Sequence, residues 1–232
     1  LSKLGICSRT QAQALIRAGR VSVNGRRVSD PESPTDGVRD RLAIDGAEVS
    51  ASEKIYVALN KPRGYVTTAS DEHGRDTVYT LLQSGNVPDV QIPWIAPVGR
   101  LDKASEGLLL FSNDSAWAAR LTDPATHLDK VYHVQIDGLV DATLLAKLCT
   151  SIVERGEALA FKSVRELRRG EKNSWLEVVL DEGRNRQIRR VLSAFDIQVL
   201  RLIRVAIGPL AIGDLAKGAW RFLSVQEIRA LG

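Results

Sequence analysis

Three side chains in this sequence are of types that could do chemistry together. Asp102 lies in the stretch Val98-Gly99-Arg100-Leu101-Asp102-Lys103-Ala104-Ser105-Glu106-Gly107, which runs at once into the apolar segment Leu108 to Phe111. Such a segment fits a strand buried in a sheet, so the carboxylate would stand at the rim of a core, on rigid footing. A carboxylate there needs a cation nearby to stay charged, supplied by Arg100 or by an Arg distant in sequence. The competing reading is an Asp that closes its own turn, a common fate beside Gly and Ser. Tyr132 shares one face of the alternating segment Lys130 to Ile136 with Val134 and Ile136, while Val131, His133 and Gln135 take the other. A core tyrosine with a hydrogen-bonded hydroxyl explains it equally well. Arg189 follows Ile188 in Asp181 to Phe195, a segment whose Ile188, Val191, Leu192 and Phe195 predict an inward helix face. One step is about 100° of rotation, which leaves the guanidinium half buried and in want of an acid.

The elements that must position these groups follow from local signals. Ser8 and Gln11 form a capping box that opens a helix with Ala12, Leu15 and Ile16 on one face and Gly19 as its left-handed stop. Asn24-Gly25 calls for a tight hairpin between Val21-Ser22-Val23 and Arg26-Arg27-Val28, and Arg41 to Gly46 reads as a returning strand. The small, polar, aperiodic residues from Ala47 to Lys54 have the profile of a linker. Strands are expected at 55–59 and 65–68, with Lys61 and Arg63 projecting from a turn stiffened by Pro62 toward a nucleic-acid backbone. A helix at 77–83 capped by Asp76 and a Pro-rich loop from Gly85 to Pro97 lead to the Asp102 stretch. Beyond it, Asp114 and Asp141 cap helices, Ala158 to Leu167 pairs with Trp175 to Leu180, Val199 to Ile207 is a long strand, and Ser224 with Glu227 forms a second capping box. Strands and helices without a βαβ rhythm predict an α+β fold with an antiparallel or mixed sheet.

Composition narrows the class. At 232 residues the chain holds one large domain or a small one plus a medium one. No stretch approaches the roughly 18 apolar residues of a membrane span and no secretory signal opens the chain, so a cytoplasmic protein is expected. Cys7 and Cys149 lack metal or redox spacing, and His73, His127 and His133 are scattered, which predicts neither a disulfide framework nor a metal site. Methionine is absent and the chain opens in what reads as a helix, so a few N-terminal residues are expected to be missing. Between Gly183 and Val205 six arginines face one acid, Asp196, the footprint of a phosphate-rich partner.

Cys7-Ser8-Arg9 followed by Ala14 to Gly25 resembles the S4 RNA-binding domain, which implies that Arg9, Arg17 and Arg20 meet folded RNA. Gly99-Arg100-Leu101-Asp102 with Ser105-Glu106-Gly107-Leu108-Leu109, the Lys130-x-Tyr132 strand and Glu182 to Arg190 together resemble the RsuA/RluB family of ribosomal RNA pseudouridine synthases. The domain plan is then an S4-like unit at 1–47, a linker at 48–54 and a catalytic domain of pseudouridine synthase fold, a mixed or antiparallel sheet with flanking helices, at 55–232. The resemblance makes Asp102 the catalytic carboxylate, Arg189 its ion-pair partner, and Tyr132 the group that stacks on or deprotonates the target base. Lys61, Arg63, Arg100, Arg184 and Arg186 become RNA contacts. It further implies a monomer that acts on ribosomal RNA or a pre-ribosomal particle, with a preference for the large subunit, by flipping a uridine out of its stack and using no cofactor. Two alternatives remain at this point: a catalytically silent RNA-binding factor, and an RNA glycosidase with Glu106 as its second acid.

Overall fold

The computed structural model describes residues 1–69, 74–83 and 92–232. After a 3-10 turn at Ser2–Leu4, α1 (Arg9–Arg17) starts at the expected capping box, with the Gln11 N–H donating to Ser8 Oγ and the Ser8 N–H to Gln11 Oε1, both at 3.0 Å. Asn24 and Gly25 adopt positive φ and turn β1 (Val21–Val23) into β2 (Arg26–Val28). β3 (Leu42–Ile44) and β4 (Ala47–Val49) complete a four-stranded antiparallel sheet in the order β2-β1-β3-β4. The segment 48–54 therefore begins in a strand and not in a linker. Asp45-Gly46, both at positive φ, makes a second tight hairpin there.

The larger sheet is built from β5 (Tyr56–Lys61), β6 (Ala96–Val98), β7 (Glu106–Ser112), β8 (Lys130–Asp137), β11 (Ser163–Arg169), β12 (Asn173–Leu180), β13 (Val199–Ile207), β14 (Leu210–Ala211) and β15 (Trp220–Phe222). A separate hairpin joins β9 (Ile152–Glu154) to β10 (Glu157–Leu159). The sheet runs β11-β12-β8-β13-β7-β5-β15, with β14 on β13 and β6 on β7; neighbours are antiparallel except the β13 and β7 pair. Its flanking helices are α2 (Val78–Gln83), α3 (Ser115–Thr122), α4 (Ala142–Leu148), α5 (Gln187–Ser193) and α6 (Val225–Leu231). The architecture is α+β with a mixed sheet.

Coverage differs along the sheet. In β7 all seven residues are buried. Leu108 and Leu110 join Trp117 and Leu121 of α3 and Leu231 of α6, whereas Leu109 and Phe111 pack with Val57, Leu59, Val78 and Trp220. In the other half, Val134, Ile136, Leu176 and Val178 pack against Leu148 of α4 and Ile188, Val191 and Leu192 of α5. The strand expected at 65–68 is reduced to a single bridge between Val66 and Thr77. His73 and much of the Pro-rich loop lie outside the described residues, although Ala96 and Pro97 belong to β6. Among the described residues no helix is long and apolar enough to cross a membrane.

Candidate active site

The turn before β7 is closed by its backbone, since the Ser105 N–H donates to the Asp102 carbonyl at 2.9 Å. That leaves the Asp102 carboxylate free for other work. Thr67 Oγ1 donates to the Leu101 carbonyl at 2.7 Å, and the Gly64 N–H donates to the Lys103 carbonyl at 2.8 Å. Lys61 anchors the turn from within. It is fully buried, and its Nζ donates to the carbonyls of Pro62 (3.1 Å), Asp102 (3.1 Å) and Ser105 (2.8 Å). Burial pushes its pKa down to about 8, against the attraction of Asp102 and Glu106. The expected RNA contact at Lys61 is thus overturned: as the last residue of β5, paired with Gly107, it turns under the loop.

The Asp102 side chain faces a cleft of about 650 Å3 whose walls include Tyr132, Arg100, Arg184, Arg186 and Arg204. Arg186, not Arg189, forms the ion pair, with Nη1 3.4 Å from Asp102 Oδ2. The reason lies in where the helix begins. α5 starts only at Gln187, and Arg186 precedes it with a left-handed φ of 50°, so its side chain leaves the helix axis and reaches across the cleft. Arg189, one turn in, donates instead to the carbonyls of Ala104 (3.2 Å) and Val199 (3.4 Å). Burial lowers its pKa, Arg186 and Arg63 lower it further, and Asp102 opposes them. Arg189 therefore braces the backbone of the turn that carries Asp102.

Tyr132 on β8 pairs across the sheet with Arg204 on β13, which in turn pairs with Gly107 on β7. Three strands thus bring the tyrosine to the Asp102 turn, where it packs against both neighbouring cores. Gly107 makes the approach possible. Its φ is +102°, and a Cβ there would lie 2.2 Å from the Arg204 carbonyl oxygen.

Two residues outside the expected set of site residues, Gln187 and Arg204, shape the site. Gln187, buried at the head of α5, donates to the carbonyl of Ala160 (2.9 Å) and to Glu182 (3.0 Å), and so fixes the loop that presents Arg184 and Arg186. Its one sequence signal is a polar residue on the inward side of an apolar helix face. Arg204 is buried and donates from Nε to the Leu108 carbonyl at 2.8 Å, tying β13 to β7. Its alternation with Leu202 on a core strand marks it.

The remaining basic candidates sit outside this constellation or at its rim. Arg63 and Arg100 are exposed, and Arg184 pairs with Glu182 (2.9 Å) and Glu157 (3.8 Å). On the small unit Arg9 and Arg17 are exposed, and Arg20 binds Asp45 through Nε at 3.0 and 3.1 Å. Glu106 does not line the cleft. It is buried, held by Arg201 through Nε and Nη2, each at 3.1 Å, and by Lys217; burial raises its pKa, but these cations keep it below the usual carboxylate range.

A carboxylate, a tyrosine and a fringe of guanidiniums in one cleft, carried on a mixed sheet beside a small basic unit, define a protein that works on RNA. The family model for RNA pseudouridylate synthases matches residues 55–194, and that for the S4 domain residues 1–36. The chain belongs to the RNA pseudouridylate synthase family and carries an S4 domain at its N-terminus. It is 38% identical to an uncharacterized RNA pseudouridine synthase of Aquifex aeolicus (strain VF5), covering 100% of this chain and 91% of that one. It is 34% identical to the ribosomal large subunit pseudouridine synthase B of Bacillus subtilis (strain 168), over 100% of this chain and 93% of the relative. The protein of the same name in Escherichia coli O157:H7 is 37% identical, over 100% and 80%. A crystal structure of a pseudouridylate synthase superposes with a TM-score of 0.68 at 28% identity, over 97% of this chain and 94% of that one.

Proposed function

We propose that this enzyme converts specific uridines of ribosomal RNA to pseudouridine, with Asp102 as its single catalytic carboxylate. The observation that carries the reading is a carboxylate, which repels phosphate, held on a rigid turn inside a basic cleft and facing Arg186 and Tyr132. Relatives named for the large ribosomal subunit favour that RNA, bare or in a pre-ribosomal particle, as substrate of a cytoplasmic monomer.

The reaction breaks the C–N glycosidic bond, turns the same uracil over and rejoins it through carbon. It is redox neutral and needs no energy input, so side chains suffice. Two routes are open to Asp102, as nucleophile or as base toward the ribose. A single carboxylate is enough where ordinary glycosidases use two, because uracil leaves as a stabilised anion that the cleft holds for reattachment. Arg186 pairs with the Asp102 carboxylate, Arg189 fixes its backbone, and Tyr132 stacks on the uracil or takes its C5 proton. Flipping the uridine out costs roughly a few kcal/mol. Phosphate contacts from Arg63, Arg100 and Arg184 at the cleft, and from Arg9, Arg17 and Arg20 on the unit that ends with β4, offset that cost.

Incubation with ribosomal RNA transcripts should produce pseudouridine without free uracil. Asp102→Ala should bind RNA almost unchanged, with affinity that falls steeply with salt, and form no product. Turnover by that variant would remove Asp102 from the mechanism. Release of uracil would favour the glycosidase, which lacks its second acid because Glu106 is committed to Arg201 and Lys217.

A further inference from the structure

Strands β11, β12, β8 and β13 press one face against α4 and α5 and leave the other uncovered. In β12 every second residue is buried, and the intervening Trp175, Glu177 and Val179 are not. Register lays out this open face. Arg168, Trp175, Gln135 and Arg201 form one row across the strands, and Arg165, Glu177, His133 and Ile203 the next. The guanidinium carbons of Arg168 and Arg201 lie 4.9 and 5.7 Å from the centre of the Trp175 ring. Beside the ring is a hollow of about 410 Å3, lined also by His133, Leu167 and Ile203.

The charge on this face is positive. Glu177 is engaged by Arg165 (2.6 Å) and His133 (3.7 Å), and Glu106 by Arg201 and Lys217. Arg165, Arg168, Arg201 and Lys217 outnumber these two acids and the exposed Asp137 at the end of β8. Arg168 is exposed and has no ion-pair partner among the described residues. A half-buried aromatic ring flanked by guanidiniums and set in a basic surface is the chemistry that holds an unpaired nucleotide: the base adds to the planar stack and its phosphates meet the cations.

We propose that this face is a second RNA-binding site, distinct from the cleft, which takes an unpaired nucleotide of the substrate on Trp175 and Arg168, with Arg165 and Lys217 at its phosphates. The proposal rests on the reading of RNA as substrate. It adds that RNA is gripped on both sides of the β8 and β12 strands, so the uridine that enters the cleft is chosen partly by an unpaired segment elsewhere.

A labelled pentamer of adenylate is the probe, because it carries no uridine for the cleft. Anisotropy titrations on the full chain should show Trp175→Ala and Arg168→Glu each weakening the pentamer by about fivefold or more. Arg168→Lys should recover part of the loss, and Asp102→Ala should change nothing. With ribosomal RNA the same two variants should raise KM and leave kcat unaltered. Arg168 is exposed, so its substitution tests the site without a folding defect. Pentamer affinity and KM unmoved in both variants would overturn the proposal and give the face to a protein partner. Failure of the enzymatic reading looks different: no pseudouridine from the wild type, with pentamer binding and its loss in the variants intact.

Discussion

β7 and β12 lie in the same sheet and bury their residues in different ways. All seven residues of β7 are buried, between α3 and α6 on one side and α2 and Trp220 on the other, whereas β12 buries every second residue and leaves Trp175, Glu177 and Val179 half-exposed. Coverage on two faces demands a continuous apolar run, and coverage on one face permits alternation. The consequence is functional. The doubly covered half gives the Asp102 turn a floor that does not yield, and the singly covered half keeps a free basic surface.

The comparison can be broken by substitution. The largest effect is expected at Gly107→Ala, where positive φ and a 2.2 Å clash with the Arg204 backbone should cost about 3 kcal/mol or more in urea unfolding and displace Asp102 from the cleft. Lys61→Met strips the donor from three carbonyls and should cost about 2 kcal/mol at neutral pH. Its pH signature is specific. The folded pKa is about 8 against the ordinary 10.5, so between these values the unfolded chain holds a proton that the folded chain has released. This group therefore makes stability rise with pH across that window, and below it contributes no slope. Unfolding curves of the Met variant should lack the rise; a rise that persists would assign it to another group.

A smaller effect is expected at Asp114, which follows β7 and caps α3. Burial raises its pKa, but hydrogen bonds from Lys54 (2.7 Å), the Trp117 N–H (3.2 Å) and the Tyr56 hydroxyl (2.9 Å) outweigh that and hold it at about 2. The carboxylate's stabilising contribution is present above the ordinary value of 3.8 and is lost as pH falls toward 2. Asp114→Asn should cost about 1 kcal/mol at pH 7 and progressively less as pH falls from 3.8 through 2. On the open face, Gln135→Ala removes one long hydrogen bond to Asn173 (3.3 Å) and should stay within about 0.5 kcal/mol. A Gln135 variant as unstable as the Gly107 variant would erase the distinction between the two halves.

Elements with local chemical causes are legible in the sequence. The Ser8 and Ser224 capping boxes, the Asn24-Gly25 hairpin, the β7 run and the β8 alternation each arise from residues within a few positions of one another. The same locality explains the misses. Beside Pro62, Lys61 has the local pattern of a solvent-facing cation, because nothing near it reveals that the carbonyls of Asp102 and Ser105 lie beneath. β4 has the composition of a linker, and its pairing to β3 is what makes it a strand.

For the candidate site, the sequence alone determined that an Asp on a turn, a Tyr on an alternating strand and a basic segment at 184–190 belong to this chain. Tertiary structure decided which arginine meets the carboxylate. Arg186 and Arg189 are three residues apart and alike in type, and the start of α5 at Gln187 separates them. One stands outside the helix and reaches Asp102, and the other lies on it and reaches the Ala104 carbonyl. A helix terminus is set by packing and by the buried hydrogen bonds of Gln187 to Ala160 and Glu182, contacts spanning 27 and 5 residues, the first of which no local pattern encodes.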